Sequence, residues 1–493
     1  MQFISEMKKK FILNLILLVF LNLLIKPFYI FFIDRTVQNV VGTQEYGIYF
    51  MIYNFTFVIN IFLDMGIVNF NNRHIAQNSQ KLKSYFPSIV SLRLLLGVVY
   101  AVIAFAGAAI MGYSPRQMYL LGILAFNQFL LSFILYLRSN ISGLLMFTVD
   151  SLVSVLDRVL LIIFCLILLY SKHFAGNFKI EWFIYSQTAA YALTALAAFC
   201  IVARKSGFKT LKWDGAFFVN ILKQSFPYAL LTLLMACYNR IDLVMLKQLI
   251  PGTDGEIQAG IYAHAYRLLE ALNNFSYLFA VLLLPLFSKM IASKENVKGI
   301  VSVAFNLLTV FSFAFASICL FYSYDFMNVL YDDEVLRSAK VCQLLMFCLP
   351  GMSFGYVFGT LLTANGSLKQ LNILATIGVV LNVSLNLVLI PKFGVIGAAC
   401  TGIVTQSSVA LMQLFCVKKI FKYDVNKTFI LKFIRFVTYI FFLFFIGFLI
   451  TKINIQWYYG CLLHLITCCV LAVAFKMFNI RELFEMVGFK RKR

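Results

Sequence analysis

The sequence has few charged residues. Only 13% of its 493 residues are Asp, Glu, Lys or Arg, whereas 62% are hydrophobic. Soluble proteins are usually about one quarter charged and about one half apolar. This composition excludes a soluble globular protein, because so much apolar surface cannot be buried in one core. Apolar runs long enough to cross a bilayer recur along the chain, so we predict an all-α integral membrane protein.

The sequence also lacks the patterns of metal sites and of several enzyme classes. The four histidines are dispersed, and the 11 cysteines are scattered without a Cys-x-x-Cys pair. No zinc site is predicted from such spacing, and no cofactor is expected. There is no Walker motif for direct use of ATP. No catalytic constellation or long extramembrane segment is present, so we do not expect an enzyme.

Hydropathy predicts 14 membrane spans with short connections. The first apolar run, from Phe11, is too long for a signal peptide and lacks a cleavage pattern, so we expect it to be the first span. The approximate limits are 11–33, 48–68, 89–112, 118–140, 149–170, 183–203, 225–248, 258–288, 300–323, 339–364, 371–391, 394–417, 430–451 and 456–477.

The distribution of basic residues predicts the orientation. With the amino terminus in the cytoplasm, 28 of the 42 Lys and Arg residues fall in cytoplasmic segments, 9 on the opposite side and 5 inside spans. Cytoplasmic loops of membrane proteins are enriched in Lys and Arg, so both termini are expected in the cytoplasm. The net charge of +22 therefore reflects topology and attraction to anionic lipids. Nucleic acid is not an expected partner, because the membrane separates the basic loops.

Two segments of the chain repeat one pattern. GIYFMIY at 47–53 and GIYAHAY at 260–266 share Gly-Ile-Tyr, three residues and Tyr, and an Ile-Asp pair precedes each. Both segments begin an even-numbered span after an outer loop. Their offset of six spans keeps two halves in the same orientation, which is typical of a parallel repeat.

The repeat predicts the domain organisation. Two six-span lobes are joined by a basic cytoplasmic linker, and two further spans and a basic cytoplasmic tail follow them. The predicted limits are 1–205 for the first lobe, 206–218 for the linker, 219–420 for the second lobe, 421–480 for spans 13 and 14, and 481–493 for the tail.

Several motifs resemble a known family. They are GTQEYGIY (42–49), LDMGIVNFNNR (63–73), RIDLVML (240–246), AGIYAHAYRLLEAL (259–272) and LNLVLIPKFGVIGAACTGIVTQ (385–406). Their order and spacing resemble the polysaccharide transporters, the Wzx-type O-antigen and capsule flippases of the multidrug/oligosaccharidyl-lipid/polysaccharide (MOP) superfamily. The Ile-Pro-x-x-Gly-x-x-Gly-Ala turn at 390–398 is the most specific of these motifs.

The resemblance implies a fold, an activity and partners. The fold would be MATE-like, with two pseudo-symmetric six-helix lobes and two carboxy-terminal helices. The activity would be translocation of undecaprenyl-diphosphate-linked oligosaccharide from the inner to the outer leaflet of the bacterial cytoplasmic membrane, by alternating access. The expected partners are this lipid-linked substrate, membrane lipids, and the polysaccharide polymerase and chain-length machinery. The protein is expected to be a monomer.

Basic residues inside the spans are the candidates for substrate contact. Charges within the membrane are costly and tend to face a cavity or a partner, and the guanidinium fork suits a diphosphate or a sugar carboxylate. The candidates are Lys26, Arg35, Arg158, Arg240 and Arg267. Pairing with a neighbouring acid remains an alternative for the arginines, as does snorkelling of Lys26 to the interface. Adjacent residues on a helix point apart, so Arg158 is not expected to pair with Asp157.

Four acids are candidates for ion coupling or for pairing. They are Asp34, Asp64, Asp242 and Glu270. Asp34 and Arg35 are expected at the outer mouth, and a structural role is favoured for Asp64. Arg267 and Glu270 can pair because they are three residues apart on a helix, whereas Arg240 and Asp242 do not face each other. Arg93, near a span end, is expected to snorkel.

Prolines and tyrosines mark other features of the spans. Proline inside a helix removes a hydrogen bond and introduces a kink, and rocking lobes need such bends. The candidate hinges are Pro27, Pro227, Pro285 and Pro350. The tyrosine pairs of the repeat lie four residues apart and each forms one helix face. Stacking on sugars and anchoring at the membrane interface are both open for them, and anchoring is favoured.

Two other functions remain open. A MATE-type drug or cation antiporter would need a cavity dominated by acids, whereas the interior bases of this chain include Lys26, Arg158, Arg240 and Arg267. A membrane polysaccharide polymerase would need a large extramembrane segment. Both are therefore less favoured than the flippase.

Overall fold

A computed structural model describes residues 20–22, 24–68, 71, 75, 79–144, 146–171, 178–421, 427–453 and 455–477. Within these ranges the secondary structure is helical and contains no strand, which confirms the all-α class. The predicted basic tail at 481–493 lies outside the described residues, as do residues 1–19, His74 and His173.

The helices follow one another with short connections. A π-helical turn, Tyr29–Asp34, leads directly into the first α-helix of the numbering used below. The α-helices are α1 Arg35–Val41, α2 Thr43–Val58, α3 Ile61–Asp64, α4 Leu82–Ile110, α5 Pro115–Gly143, α6 Phe147–Tyr170, α7 Ile180–Ser206, α8 Gly215–Leu249, α9 Thr253–Ala292, α10 Lys298–Leu330, α11 Val335–Leu345, α12 Cys348–Ala364, α13 Leu368–Phe393, α14 Val395–Ile420, α15 Lys427–Thr451 and α16 Trp457–Ala474.

Eleven helical segments among the described residues are long and apolar enough to cross a membrane. They coincide with predicted spans 3 to 7 and 9 to 14. Predicted span 10 corresponds to α11 and α12 together. The other three predicted spans fall on the segment that contains the π-helical turn Tyr29–Asp34, on α2 with α3, and on α9. The protein is therefore a multi-pass membrane protein.

The side-chain distribution is that of a protein dissolved in lipid. Large apolar side chains such as Val98, Val102 and Phe105 of α4 are exposed, whereas polar side chains such as Asn54 and Asn140 are fully buried. Hydrocarbon offers no hydrogen bonds, so polar groups at this depth must find partners inside the protein. The helices accordingly turn apolar faces outward and bury their polar residues against one another.

The chain divides into two compact units, Met1–Gly260 and Ile261–Arg493. The first contains α1 to α8 and the first turns of α9, and the second contains the rest of the chain. Helix α8 packs against α2 within the first unit. The division into lobes at 1–205 and 219–420 remains a prediction.

The Asp-x-Gly motif of span 2 ends a helix. After α3, Met65 and Gly66 adopt positive φ angles of 46° and 77°, which a glycine tolerates better than other residues do. A Cβ atom on Gly66 would also lie 2.5 Å from the carbonyl oxygen of Ser225 in α8. The glycine therefore allows both the sharp turn and the close approach of α8.

The two glycines of the repeat pack against each other. A Cβ atom on Gly47 would overlap the carbonyl oxygen of Glu256 and lie 2.8 Å from the backbone nitrogen of Gly260. A Cβ atom on Gly260 would overlap the carbonyl oxygen of Thr43. Each glycine thus faces the residue four positions before the other glycine. Gly47 and Gly260 therefore form a reciprocal crossing of α2 with the start of α9 within the first unit.

A polar network surrounds this crossing. Arg116 donates two hydrogen bonds to Glu45, of 2.8 and 2.6 Å, and its Nη2 lies 2.9 Å from Glu181. Glu256 accepts from Gln117 at 2.9 Å and from Gln44 at 3.3 Å, and Lys247 lies 3.5 Å away. The orientation predicted from the basic residues places this network at the outer side.

Candidate substrate and coupling site

A fully buried carboxylate lies at the end of the π-helical turn Tyr29–Asp34. Asp34 has an exposed fraction of 0%. Its carboxylate accepts hydrogen bonds from the Tyr46 hydroxyl at 2.9 Å, from Gln38 Nε2 at 3.0 Å and from the Tyr29 hydroxyl at 3.3 Å. The helix continues beyond Asp34 through α1 to Val41, so Asp34 does not lie at a helix end, and its expected place at the outer mouth stays a prediction. Arg35, the next residue, is half-buried.

The π-helical turn explains the contact between Tyr29 and Asp34. Residues five apart on an α-helix point in different directions, whereas a π turn closes i→i+5 hydrogen bonds and brings such residues onto one face. The turn begins two residues after Pro27, which cannot donate a backbone hydrogen bond. The first predicted span is therefore irregular close to Pro27, where proline predicts a kink. Lys26 and Pro27 are both half-buried.

Arg158 of α6 lies against two tyrosine rings. Its guanidinium is 5.2 Å from the ring centroid of Tyr29 and 5.8 Å from that of Tyr191. Such contacts between a cation and a ring face are attractive. Its Nε is 3.5 Å from Asp157 Oδ2, so the expectation that these neighbours do not pair is wrong. Both side chains bend to the same side of the helix.

The outer edge of the Arg158 guanidinium remains open. The side chain is 23% exposed. Among the described residues its two terminal nitrogens have no hydrogen-bond partner, since its ion pair with Asp157 uses Nε. A guanidinium carries five donors in a planar fork. The two rings and Asp157 therefore fix the orientation of the Arg158 guanidinium. Its two terminal nitrogens can donate to an anion in bidentate fashion.

Arg240 of α8 contacts α2 within the same unit. Its Nη1 donates to Asn54 Oδ1 at 3.0 Å, and the guanidinium lies 4.1 Å from the ring centroid of Phe57. Asn54 is held by its own hydrogen bond to the carbonyl oxygen of Phe50 at 2.7 Å. Asp242 is buried and makes interactions of its own. Arg240 is thus a half-buried cation that has a neutral amide among its partners.

Helix α2 presents an aromatic face to this interior. Tyr46, Tyr49 and Tyr53 follow one another at helical spacing, with ring centroids 5.3 Å apart for the first pair and 6.0 Å for the second. Tyr49 accepts a hydrogen bond of 2.7 Å from Gln187 of α7. Tyr262 and Tyr266 in the second unit stack in the same way, at 5.8 Å.

The favoured role as an interface anchor is wrong for Tyr49, Tyr262 and Tyr266 and stays a prediction for Tyr53, which is half-buried. Tyr49, Tyr262 and Tyr266 are buried in protein. An interface anchor keeps its hydroxyl at the headgroups, which a buried side chain cannot do. The i, i+3 and i+4 spacing of aromatic residues identified the shared face, but not the side of the helix on which the protein lies.

Asp64 and Arg93 form a separate buried pair. Arg93 Nη2 contacts Asp64 Oδ1, and Arg93 Nη1 donates to the carbonyl oxygen and to the hydroxyl of Ser132, both at 2.9 Å. Asp64 Oδ1 also accepts from the backbone nitrogen of Val68 at 3.2 Å. Arg93 is only 2% exposed, so the expectation that it snorkels is wrong. The pair holds the end of α3 to α4 and α5.

The second unit contains its own polar contacts. Arg267 Nη1 lies 2.7 Å from Glu270 Oε2, which is the pairing expected for residues three apart. His264 is buried, hydrogen-bonds the Ser338 hydroxyl at 2.9 Å and stacks on Tyr331 with ring centroids 4.0 Å apart. These contacts stabilise the packing of α9 with the segment that precedes and begins α11.

A buried amide pair in the second unit was not predicted. Asn386 Nδ2 donates to Asn382 Oδ1 at 3.0 Å on α13, and Asn382 Nδ2 lies 3.5 Å from the Thr405 hydroxyl on α14. Asparagine four residues apart within an apolar run was the signal available in the sequence. Buried amides inside a membrane helix need such partners.

The remaining candidate prolines occupy different settings. Pro350 is buried near the start of α12, directly after the break between α11 and α12. Helices α8 and α9 continue through Pro227 and Pro285. The helices are irregular near Pro27 and Pro350, and the role of all four prolines as hinges stays a prediction.

The fold is that of transporters of the MOP superfamily. The lipid II flippase MurJ in its inward closed conformation has a TM-score of 0.70 and 16% identity, covering 97% of this chain and 100% of that chain. An inward-facing MATE-family multidrug transporter has a TM-score of 0.61 and 13% identity, covering 80% and 96%. A MOP superfamily transporter of Pyrococcus furiosus Vc1, described as having a binding pocket of reverse polarity, has a TM-score of 0.60 and 14% identity, covering 83% and 93%.

Residues 11–291 match the family described as polysaccharide biosynthesis protein, and the chain belongs to that family. Two uncharacterized membrane proteins of Methanocaldococcus jannaschii are relatives. MJ1068 is 22% identical over 424 residues, 80% of this chain and 81% of that protein. MJ1375 is 24% identical over 209 residues, 42% of this chain and 48% of that protein, so the match spans about half of its length. The family and the fold that the motifs predicted are therefore confirmed.

Proposed function

We propose that the protein is a flippase that moves undecaprenyl-diphosphate-linked oligosaccharide from the inner to the outer leaflet of the bacterial cytoplasmic membrane by alternating access. The observation that carries the proposal is the setting of Arg158, a half-buried cation inside a membrane helix with open terminal nitrogens. Membership of the polysaccharide biosynthesis family supports the class of substrate.

The chemistry of such a substrate matches the interior of the first unit. The diphosphate is anionic, and neither it nor the sugars cross hydrocarbon unaided. Arg158 offers the planar fork that binds phosphate oxygens in bidentate fashion. Tyr29 and Tyr191 hold the guanidinium by its faces, which leaves its edge for the ligand. The apolar tail of the substrate can remain in the bilayer, against the exposed apolar helix faces.

The same setting argues against an antiporter of cationic drugs. A drug-sized cation needs an acid that it can contact directly, whereas Asp34 is fully buried and accepts hydrogen bonds from Tyr29, Gln38 and Tyr46. The accessible charge beside it is the base Arg158. Arg240, which donates to the amide oxygen of Asn54, is a second basic residue within a predicted span of this unit.

We further propose Asp34 as the group that couples transport to a cation gradient. Asp64 and Glu270 are each paired with an arginine, Arg93 and Arg267 respectively, which fits structural roles. Asp242 remains a second candidate, since it is buried in the same unit. Both termini are proposed to lie in the cytoplasm. A monomer that works with a polysaccharide polymerase and chain-length machinery completes the proposal.

Replacing Arg158 with alanine tests the flippase. We expect translocation of labelled undecaprenyl-diphosphate-linked oligosaccharide in proteoliposomes to fall about tenfold or more, because hydrogen bonds to charged groups contribute about 1.5–3 kcal/mol. Arg158→Lys should retain an intermediate rate, since it keeps the charge without the fork. Arg204→Ala, which removes an exposed charge at the end of α7, is the matched control.

Other outcomes of these assays would overturn the proposal. Full activity of Arg158→Ala would remove this residue from the site. Uptake of a lipophilic cation by the wild type, without translocation of the oligosaccharide, would favour the antiporter. In a deletion strain, lipid-linked repeat units that reach the outer face as single units would favour the polymerase, whereas a flippase defect leaves them on the inner face.

A further inference from the structure

Tyr29 contacts an acid and a base at the same time. Its hydroxyl donates to Asp34 Oδ1 at 3.3 Å, and the face of its ring lies 5.2 Å from the guanidinium of Arg158. The π-helical turn Tyr29–Asp34 produces the first contact, and the packing of α6 beside that turn produces the second. The Tyr29 side chain therefore contacts both the buried carboxylate of Asp34 and the guanidinium of Arg158.

We propose that Tyr29 is a positioning residue through which the charge state of Asp34 sets the affinity of Arg158 for an anion. The proposal rests on the proposed function, in which Arg158 binds the substrate diphosphate. It adds a residue that neither the sequence motifs nor the family resemblance identify, and it assigns the link between the coupling acid and the substrate to one hydroxyl and one ring.

The physical chemistry of the link is direct. A phenol that donates a hydrogen bond to a carboxylate gains electron density in its ring, and the attraction between the ring and a cation grows with the negative charge on the ring face. While Asp34 is ionised, Tyr29 therefore holds Arg158 more firmly against its ring. When Asp34 is neutral, this hold weakens, and the guanidinium becomes freer to bind an anion.

No direct ion pair replaces this route. Among the described residues, the only acid paired with Arg158 is its neighbour Asp157. The titratable groups near Asp34 include Tyr29 of the π-helical turn, Tyr46 of α2 and Cys165 of α6. Those that face Arg158 lie on the first helix and on α2, α6 and α7; they are Tyr29, Tyr53, Asp157 and Tyr191. Tyr29 belongs to both sets.

The chain supplies two matched controls. Tyr46 donates to the same carboxylate as Tyr29, but its ring packs on Tyr49 and Phe50. Tyr191 contacts the same guanidinium as Tyr29 through its ring. Each of the three tyrosines can be changed to phenylalanine, which keeps the ring and removes only the hydroxyl. The side chain of Tyr29 touches both charged groups, whereas Tyr46 is chosen for its contact with the carboxylate and Tyr191 for its contact with the guanidinium.

The experiment measures how strongly Asp34 and the anion site are coupled. The full chain is placed in nanodiscs, and the dissociation constant of a labelled polyprenyl diphosphate is measured with Asp34 and with Asp34→Asn. We expect Asp34→Asn to tighten binding about fivefold or more, in the range of typical coupling between sites. The same ratio is then measured in the Tyr29→Phe, Tyr46→Phe and Tyr191→Phe backgrounds.

The proposal expects the ratio to fall below about twofold in Tyr29→Phe and to stay near its full value in the other two backgrounds. Attraction or repulsion acting through space would leave the ratio equal in all backgrounds, and that result would overturn the role of Tyr29. A ratio lost equally in Tyr46→Phe would also overturn it, because that variant leaves the Tyr29 hydroxyl in place. Equal melting temperatures of the variants exclude a general loss of packing.

A second measurement distinguishes a failure of the role of Tyr29 from a failure of the proposed substrate site. Binding of the diphosphate should weaken about tenfold in Arg158→Ala. Diphosphate binding that does not depend on Arg158 contradicts the proposed site, and the role of Tyr29 fails with it. Binding that depends on Arg158, together with coupling that survives in Tyr29→Phe, contradicts only the role of Tyr29.

Discussion

Replacing Gly47 with alanine is expected to lower the free energy of unfolding by about 3 kcal/mol or more, at the upper end of the cost of overpacking. The added Cβ would overlap the carbonyl oxygen of Glu256. Backbone atoms cannot rotate away as a flexible side chain can, so α2 must move from the start of α9. That movement also weakens the hydrogen bonds from Gln44 and Gln117 to Glu256.

The measurement is reversible unfolding in mixed micelles of a mild detergent and dodecyl sulfate. Gly260→Ala should have an effect of similar size, because its Cβ would overlap the carbonyl oxygen of Thr43. The double variant should cost less than the sum of the two, since one separation of the helices relieves both overlaps. Gly215→Ala is the control: a Cβ there meets no atom within 4 Å, and alanine is the better helix former by about 0.5–1 kcal/mol. Equal stability of Gly47→Ala and Gly215→Ala would contradict the reciprocal crossing.

Replacing Arg93 with alanine is expected to cost about 3–5 kcal/mol of unfolding free energy, the usual effect of breaking a buried ion pair. The change leaves Asp64 without its charged partner and removes both hydrogen bonds to Ser132. The guanidinium also lies 4.8 Å from the ring centroid of Tyr136, and that contact is lost too. The same unfolding assay measures the loss.

Two further variants separate charge from packing at this pair. Asp64→Asn combined with Arg93→Met removes both charges, keeps an acceptor for the backbone nitrogen of Val68 and fills similar volume. This pair should recover much of the stability, because replacing a buried ion pair by apolar groups is often nearly neutral. Arg116→Ala is the matched control, since Arg116 contacts two acids while 48% exposed, and exposed pairs contribute about 0–1 kcal/mol. An Arg93→Ala protein as stable as Arg116→Ala would contradict the structural role.

The helices and their order could be predicted from the sequence because hydropathy is a local property. A run of about 20 apolar residues must cross the bilayer whatever surrounds it, so the eleven segments that meet this criterion fall on predicted spans. The predicted ends of the spans agree less well with the ends of the helices. Helix α8 begins at Gly215, ten residues before the predicted span, because helices continue past the hydrocarbon where the protein gives their polar turns partners.

The settings of individual side chains could be predicted only in part. Arg267 and Glu270 pair as expected, because residues three apart on one helix meet regardless of the fold. Arg93 and Asp64 meet across different helices, and no local pattern joins them. Tyr29 was not a candidate at all, since a single tyrosine in an apolar run carries no signal until its neighbours are known.

The sequence by itself determined that this protein lives in a membrane, that its spans are helical, and that two Gly-Ile-Tyr segments occupy equivalent places in the chain. These properties depend on composition and periodicity over one or two helix turns. Only the tertiary structure decided that Gly47 faces the start of α9, that Asp34 is enclosed, and that Tyr29 lies between Asp34 and Arg158. Such contacts depend on the rotation of each helix about its axis and on residues far apart in the chain, and hydropathy constrains neither.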